Sequence, residues 1–516
     1  MTQTPAGILI VDLGTQYAQL IARRVREAGC WCEIHPPAKA LEAAARMRLH
    51  GVILSGGPAS VYAPDAPEVP AELLELGVPL LGICYGMQWM CQQLGGVVTG
   101  SGRREFGHTS ISVQRARDIF EGLDGRTVVW MSHGDKVAQL PAGFETYARS
   151  EGCEHAAIGD TERRFFGVQF HPEVSHTVRG REVIENFVLD VCKMPGDWRD
   201  ESIVEREVER IREQVGADGD IVLGLSGGVD SSVAAVIAQR AVGDRLHCIF
   251  VDNGLLRKDE ARLVEEEFRT HLGMDLTVVD ATDRFLASLA GVTEPEAKRK
   301  AIGRDFVEVF RAEARRFSNA RYLGQGTLYP DVIESVAEHG GSTAVIKSHH
   351  NVGGLPDDLD MELVEPLREL FKDEVRRVGR FLGLDERILM RQPFPGPGLA
   401  VRIVGEVTPE RLELLRAADH IVTTEIESAG AHEGLWQYFA VLLPVRSVGV
   451  MGDARTYEEA CALRIVESVD GMTADWGYLD RDVLRRISNR IINEVPGINR
   501  VVLDVSSKPP ATIEWE

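Results

Sequence analysis

The chain has 516 residues, of which 44% are hydrophobic, and a formal net charge of −22. This length predicts about three domains of roughly 150 residues each. The acidic charge argues against a general nucleic-acid or membrane binder, which would carry a basic surplus. No apolar run reaches about 18 residues, the N-terminus lacks a signal-peptide pattern, and the eight cysteines lack disulfide spacing, so we expect a cytoplasmic protein without membrane spans.

Alternating apolar and amphipathic segments in residues 6–195 predict a parallel, doubly wound α/β sheet. In such a sheet the functional groups gather at the carboxyl ends of the strands. The third strand leads into Gly82-Ile-Cys84-Tyr-Gly86, which places Cys84 on a tight turn into a helix. A helix N-terminus raises the thiolate fraction of a cysteine, so the pattern favours a nucleophile. The predicted strands are 7–12, 51–55 and 78–83.

A nucleophile requires a base, and the base requires a partner that orients it. The segment Phe166-Gly-Val-Gln-Phe-His171-Pro-Glu173 reads as a strand that presents His171 at its end, with Glu173 two residues further on. By itself, the tripeptide His-Pro-Glu (171–173) is more typical of a surface turn. In company with the Cys84 turn it predicts a Cys-His-Glu catalytic triad.

Taken together, these motifs resemble the class I glutamine amidotransferases, and the resemblance covers nearly all of residues 7–192. It implies that Cys84 attacks the side-chain amide of glutamine, that His171 acts as general base and acid, and that Glu173 orients His171. It also implies that the N–H groups of Gly57 and Tyr85 form an oxyanion hole and that Gln88 lines the glutamine pocket.

In residues 196–390 a glycine-rich turn follows the apolar run 221–225. Backbone N–H groups at such a turn and at the following helix N-terminus favour phosphate. The turn lacks the Gly-Lys-Ser/Thr ending of a Walker loop and resembles the signature of ATP pyrophosphatases, which implies a second α/β domain that binds ATP. Further strands are predicted at 246–251, 276–280 and 320–324. The loop residues are Ser226, Gly227, Gly228, Val229, Asp230, Ser231 and Ser232.

Carboxylates beside this loop predict a Mg²⁺ site, since Mg²⁺ usually takes one or two carboxylates together with substrate phosphates. Asp230, in the first helical turn, is the first candidate ligand. Asp331 is a second, and a turn-forming role after Pro330 is an equal alternative for it. Lys300 and Arg304, one helical turn apart, are interpreted either as a solvated face or as a nucleotide phosphate site.

The Pro-rich run Arg391–Gly398 predicts a boundary, and residues 391–516 then mix helices with strands in an α+β pattern. A small domain with a strand-rich apolar face often forms dimers, so we expect a homodimer. The predicted helices are 410–429, 456–467 and 479–495, and the predicted strands are 438–443, 447–451 and 501–505.

Four further motifs extend the resemblance to the whole chain, which is similar to the family of single-chain, glutamine-hydrolysing GMP synthetases. They are Lys-Ser-His-His-Asn (347–351), Phe-Pro-Gly-Pro-Gly-Leu (394–399), Gly-Asp-Ala-Arg-Thr-Tyr (452–457) and the terminal Lys-Pro-Pro…Glu-Trp-Glu (508–516).

That resemblance implies that glutamine, ATP and xanthosine 5′-monophosphate (XMP) are substrates, with no nucleic-acid or membrane partner. ATP would adenylylate XMP, and ammonia from glutamine would then displace AMP to give GMP. The resemblance makes Arg257, Lys508 and Glu514 candidates for holding XMP. It places Lys347 on a lid over the activated nucleotide.

Three other functions compete with this interpretation. A glutamine-dependent NAD synthetase would use an unrelated glutaminase, which the Cys84, His171 and Glu173 set argues against. A tRNA-modifying ATP pyrophosphatase would require a basic RNA surface or catalytic cysteines in the second domain. A non-catalytic nucleotide sensor would be expected to have lost one of the triad residues or Asp230.

Overall fold

The computed structural model describes residues 6–64, 66–332, 361–451, 454–468 and 473–516. Lys347, which was predicted to lie on a lid, falls outside these residues. The internal contacts of the chain define two units, Met1–Ile203 and Val204–Glu516. Each unit is built on its own sheet system.

The first unit holds one mixed sheet in the order β2-β1-β3-β4-β9-β8-β7-β5-β6. Its strands are β1 (Ala6–Val11), β2 (Cys32–His35), β3 (Arg48–Leu54), β4 (Leu80–Ile83), β5 (Val97–Val113), β6 (Arg126–Gln139), β7 (Glu145–Arg149), β8 (Ala157–Asp160) and β9 (Phe165–Val168). Its helices are α1 (Ala18–Glu27), α2 (Pro37–Arg46), α3 (Tyr85–Gln93) and α4 (Gly180–Glu185), with a π-helical turn over Asn186–Val191 and 3₁₀ turns over Ala71–Glu75 and Asp118–Phe120.

The parallel half of this sheet, from β2 to β9, confirms the predicted α/β fold. β4 and β9 are completely buried, as expected for parallel strands covered on both faces. The remaining strands extend the sheet in antiparallel fashion, and the long pair β5 and β6 forms its far edge. The carboxyl ends of β4 and β9 therefore lie side by side.

The second unit contains a parallel sheet in the order β12-β11-β10-β13-β14 and a second sheet built around β16. The strands are β10 (Asp220–Leu225), β11 (Leu246–Asp252), β12 (Leu276–Asp280), β13 (Ala320–Gly324), β14 (Glu362–Val364), β15 (Gln437–Met451), β16 (Ala454–Glu467), β17 (Asp475–Trp476) and β18 (Ile498–Asp504).

Helix α5 (Asp200–Val215) runs from the end of the first unit into the second. The other helices of the second unit are α6 (Val229–Val242), α7 (Glu260–Glu265) with a π-helical turn over Glu266–His271, α8 (Thr282–Leu289), α9 (Pro295–Ala314), α10 (Lys372–Phe381), α11 (Glu386–Leu389), α12 (Pro409–Ser428) and α13 (Arg481–Glu494), with 3₁₀ turns over Gly243–Arg245 and Gly398–Arg402.

One hydrophobic core joins the two sheets of the second unit. Leu323 of β13, Phe310 of α9, Val422 of α12 and Leu463 of β16 belong to the same buried cluster. Helix α12 begins where the Thr408 hydroxyl accepts from the N–H of Arg411, with Pro409 at the first helical position. Its apolar side packs on β15 and so fixes the C-terminal sheet within this unit.

The helix predicted over residues 456–467 is wrong, because this segment forms the strand β16. Its Glu-Glu-Ala-Cys-Ala-Leu-Arg composition favours a helix when it is considered alone. In the structure, β16 pairs with β15 on one side and with β17 and β18 on the other. Burial between neighbouring strands outweighs the local helix preference.

We find no helix among the described residues with the length and apolar character that crossing a bilayer demands.

Candidate functional site

Cys84 occupies a strained turn between β4 and α3. Its φ of 51° and ψ of −104° are unusual for a non-glycine residue and match the geometry that exposes a nucleophile at the start of a helix. The glycines on either side allow the chain to pass closely. A Cβ atom on Gly86 would lie 2.4 Å from the carbonyl oxygen of Leu54, and one on Gly82 would lie 2.5 Å from the Met87 nitrogen.

His171 and Glu173 reach Cys84 because Ile83 of β4 pairs with Val168 of β9. The Nδ1 of His171 lies 2.7 Å from the Oε1 of Glu173, and His171 is hydrogen-bonded to the Cys84 side chain. A carboxylate only accepts, so Nδ1–H donates to Glu173 and Nε2 is left to serve Cys84. The structure thus brings the three predicted triad residues together.

The environment of His171 raises its pKa from 6.5 to about 10. Burial alone acts in the opposite direction, because it disfavours the imidazolium. The hydrogen bonds that His171 makes with Cys84 and Glu173, together with the negative charge of Glu173, outweigh that penalty. Glu173 is fully buried, so its charge acts in a medium that screens it weakly.

The residues predicted to bind glutamine surround Cys84. A Cβ atom on Gly57 would lie 3.3 Å from the ring of Tyr85, so the glycine loop after β3 runs directly against the Cys84 turn. Gln88 is buried, and its Nε2 donates to the carbonyl oxygen of Asp135 at 3.0 Å. The carbonyl oxygen of Ser132 lies 3.8 Å from the Cys84 sulfur. These groups therefore lie around the turn that carries the nucleophile, where glutamine is predicted to bind.

The predicted phosphate loop joins β10 to α6. Gly227 has a φ of 70°, and Gly228 caps the helix in an extended conformation. Hydroxyl groups close the loop, since Ser226 Oγ and Ser231 Oγ are 3.0 Å apart and Ser232 Oγ donates to the Gly228 oxygen at 2.7 Å. The first N–H groups of α6, including that of Val229, therefore point out of a fixed turn, as an anion site requires.

Of the two candidate Mg²⁺ ligands, Asp230 fits a cation better. Its Oδ1 is buried and lacks a hydrogen-bond partner among the described residues, while its Oδ2 lies 2.5 Å from the Nζ of Lys372. The Oδ2 of Asp331 instead accepts from the N–H of Leu328 at 2.9 Å, which is the geometry of a turn. Oδ1 therefore keeps a lone pair that a cation could take, although Oδ2 of the same carboxylate pairs with Lys372.

The candidate XMP ligands are only partly brought together. Arg257 is buried against Asp419 at 3.2 Å and stacks on Phe394, and burial lowers its pKa. The carboxylate of Glu514 accepts from Arg402 at 2.9 Å and contributes to the electrostatic environment of Arg257. The backbone of Lys508 exchanges hydrogen bonds with that of Ala474.

Open clefts flank Arg257. One has a volume of about 520 Å³ and reaches Thr282 and Arg416, and the other has a volume of about 260 Å³ and reaches Gly227 and Arg391. Both are lined by Arg257, so the phosphate loop and the cluster around Arg257 border a common region. The volume of the first cleft is one that accommodates a small ligand.

The exposed cations Lys300 and Arg304 form a solvated face of α9. The Lys300 side chain is 76% exposed and lies 3.8 Å from Glu296, and Arg304 is similarly open. The buried cation of this helix is Lys298, which is fully enclosed and bonds the terminal residue Glu516.

Sequence reasoning missed several residues that contact these sites. Gln169 donates to the Cys84 sulfur at 3.6 Å, and its place two residues before His171 was the available signal. Arg391 donates to the Gly227 oxygen at 2.8 Å and pairs with Glu260. Lys372 and Arg402 are far along the chain from Asp230 and Glu514, so no local pattern identified them.

Family models match three parts of the chain. Residues 9–191 match glutamine amidotransferase class-I, residues 203–311 match NAD synthase, and residues 424–515 match the GMP synthase C terminal domain.

Three curated relatives are similar over almost the whole length, and each is described as a GMP synthase [glutamine-hydrolyzing]. The protein of Brachyspira hyodysenteriae is 57% identical over 509 residues, which cover 99% of either chain. That of Phenylobacterium zucineum is 59% identical over 99% of this chain and 98% of its own. That of Aquifex aeolicus is 55% identical over 99% of either chain.

Proposed function

The chain belongs to the family of glutamine-hydrolysing GMP synthases, and on that basis we propose that it converts XMP to GMP with glutamine as the nitrogen donor and ATP as the activating substrate. The observation that carries the proposal is the coexistence of a Cys84-His171-Glu173 triad and an ATP pyrophosphatase phosphate loop in one chain. The first supplies ammonia, and the second activates the acceptor that consumes it.

In the glutaminase reaction, Cys84 attacks the side-chain amide of glutamine. His171 takes the proton of the Cys84 thiol as general base and then delivers it, as general acid, to the departing ammonia. Glu173 holds the imidazole in the tautomer that keeps Nε2 towards Cys84. The N–H groups of Gly57 and Tyr85 stabilise the oxyanion, and Gln88 lines the pocket for the substrate. Water then hydrolyses the glutamyl thioester and frees Cys84.

In the synthetase reaction, the oxygen at C2 of XMP attacks the α-phosphate of ATP and pyrophosphate leaves. Ammonia then displaces AMP and gives GMP. The loop Ser226–Ser232 holds the phosphates with the N-terminal N–H groups of α6. Mg²⁺, when bound, neutralises the phosphate charge. The unpartnered Oδ1 of Asp230 supports this residue as its ligand, and Asp331 is the weaker candidate.

We assign XMP to the region of Arg257 and Glu514. The support is the buried guanidinium of Arg257, whose Nη2 lacks a hydrogen-bond partner among the described residues. This unpartnered N–H group is a donor that an acceptor group of a ligand would satisfy. We include Lys508 and Lys347 among the residues that bind XMP on the family resemblance alone.

The protein is further proposed to be a homodimer in the cytoplasm. The dimer is supported by an apolar face on β15 and β16, where Val448, Val450 and Tyr457 are 59%, 73% and 64% exposed. The compartment is supported by the cysteines, because all eight are buried free thiols.

The decisive experiment supplies XMP, ATP and Mg²⁺ with either glutamine or an ammonium salt and measures GMP and AMP. Wild type should use both nitrogen sources, whereas Cys84→Ala should use only ammonium. Cys91→Ala, which alters another buried thiol on α3, should behave like wild type. If no nitrogen source yields GMP, the assignment of XMP fails.

A second candidate acceptor is the deamidated form of NAD, because residues 203–311 match the NAD synthase model. The same assay with nicotinic acid adenine dinucleotide in place of XMP separates the two functions. We expect GMP formation and no amidated dinucleotide, and the reverse result would assign the chain to NAD synthesis.

A further inference from the structure

Three side chains with metal-binding atoms converge next to the segment whose carbonyl oxygens contact Cys84 and Gln88. Glu105 lies on β5, His133 lies on β6, and Cys153 follows β7. Their ligand atoms all lie within 4.8 Å of one another, and His133 Nε2 is 3.3 Å from the Oε2 of Glu105. Cys153 is fully buried, and the side chains of His133 and Glu105 are only 2% and 10% exposed. None of the three belongs to the proposed catalytic triad.

The hydrogen bonds of His133 leave a position for a cation. Its Nδ1 lies 2.9 Å from the carbonyl oxygen of Asp135, which can only accept, so Nδ1 carries the hydrogen. In the neutral ring, Nε2 then presents a lone pair towards the Glu105 carboxylate. This Nε2 is buried and has no hydrogen-bond partner among the described residues. Two acceptors that face each other in a buried site require a positive charge between them.

The donor set and its support match a zinc-type ion. Thiolate, imidazole and carboxylate are the ligands that Zn²⁺ takes in proteins. Metal-bound histidines usually donate their other N–H to a carbonyl or carboxylate, as His133 does to Asp135. The Glu105 carboxylate is likewise oriented, since it accepts from Ser150 Oγ at 2.9 Å and from the N–H of Gly152 at 3.2 Å.

We propose that Glu105, His133 and Cys153 form a Zn²⁺ site that braces the segment in contact with Cys84 and Gln88. This segment includes Ser132, directly before His133, and the Asp135 carbonyl, which His133 and Gln88 share. Binding converts the Cys153 thiol to a thiolate, and its proton is released to solvent. The ion would hold this short segment in place without contacting the reacting atoms.

Cobalt provides the test, because a thiolate bound to Co²⁺ gives a charge-transfer absorption band. The full-length chain is used with Cys84→Ala, so that the catalytic thiol cannot bind the metal, and is freed of metal with a chelator. Titration should give the band at one equivalent of Co²⁺, and Zn²⁺ should abolish it. Adding Cys153→Ser should remove the band, whereas adding Cys248→Ser, a change at a buried thiol of the other unit, should preserve it.

Glu105→Gln keeps the volume of the side chain and protects the test against a misfolded Cys153 variant. It should retain the thiolate band and weaken Co²⁺ binding by more than the about 10- to 100-fold that the loss of an outer-shell partner costs. The proposal is overturned if the parent chain gives no band, if the band survives Cys153→Ser, or if Glu105→Gln binds as tightly as its parent. Any of these results would assign the charge between His133 and Glu105 to a proton.

Discussion

At the scale of single residues, the chemistry of the first unit depends on one proton and its place between Cys84 and His171. The neighbours of His171 raise its pKa to about 10 against the opposing effect of burial. At neutral pH the imidazolium form of His171 is therefore favoured, and its positive charge lies beside the Cys84 side chain. Glu173 is the fixed charge that maintains this arrangement.

Glu173→Gln should shift the alkaline limb of the glutaminase pH profile. In wild type, kcat/KM should fall as pH rises through about 10, where His171 loses its proton. The variant loses the carboxylate that raises this pKa, so the limb should move to lower pH. Glutaminase rates measured between pH 6 and 11 provide the check. Glu185→Gln, at a surface pair with Arg181, serves as the control, and an unmoved limb would contradict the role of Glu173.

Lys372→Met should weaken the use of ATP and spare glutamine hydrolysis. Lys372 pairs with Asp230 beside the phosphate loop, and hydrogen bonds to charged groups contribute about 1.5–3 kcal/mol. The KM for ATP in the ammonium-dependent reaction should thus rise by about tenfold or more. Lys300→Met, at an exposed lysine of the same unit, should leave that KM unchanged. Equal effects of the two substitutions would rule out a local role for Lys372.

At the scale of elements, the two ends of α6 offer a matched pair of glycines. Gly227 and Gly243 both have positive φ values, of 70° and 61°. A Cβ atom on Gly227 would lie 2.7 Å from Val264 Cγ2, whereas one on Gly243 would have no neighbour within 4 Å. A side chain at either glycine strains the backbone, because both φ values are positive. Only a side chain at Gly227 would also collide with a neighbour and displace the phosphate loop.

Gly227→Ala should therefore abolish most ammonium-dependent synthesis, while Gly243→Ala should lower stability by about 1–2 kcal/mol and keep the activity. GMP formation and thermal unfolding, measured on both variants, separate displacement of the loop from general backbone strain. Glutaminase activity, which belongs to the other unit, should persist in both. Retention of synthesis by Gly227→Ala would show that the loop conformation tolerates a shift.

The elements that the sequence predicted are those with a strong local signal. β4 and β10 are apolar runs that end in glycine turns, so both the strand and the residue it presents, Cys84 or Ser226, could be inferred. The strand β16 was assigned to a helix because its pairing on both sides is a tertiary property. The long pair β5 and β6 was not predicted, since the glycines and charges of β5 obscure its alternation.

For the sites, the same limit applies to contacts between distant parts of the chain. The triad could be predicted because Cys84 directly follows β4 and the other two residues follow β9, and these paired strands end at one sheet edge. Neither Lys372 beside Asp230 nor Arg402 beside Glu514 follows from a local pattern, because each pair is separated by more than 100 residues. Such contacts depend on how helices and the C-terminal segment pack on the sheet.

At the scale of the whole molecule, the C-terminal segment ends inside the second unit. Lys298 is fully buried and bonds the Glu516 side chain, and the N–H of Gly405 donates to the other oxygen of that carboxylate at 3.0 Å. A buried cation needs such a partner, so the last residue is part of the fold. Glu514 is thereby held next to Arg402, close to where XMP is proposed to bind.

The apolar face of β15 and β16 leads to a prediction about assembly. Val448 and Val450 point to the same side of β15, and Tyr457 of β16 pairs with Val448, so the three exposed side chains form one patch. Such a patch normally marks an interface, and a two-fold dimer would bury two copies of it at once.

Val450→Glu should place two desolvated like charges there and yield a monomer, as measured by light scattering during size-exclusion chromatography. Phe381→Glu, at an exposed aromatic residue of α10, should remain dimeric. If Val450→Glu and Phe381→Glu both have the dimeric mass of wild type, the interface lies elsewhere. If wild type itself is a monomer, the dimer is excluded.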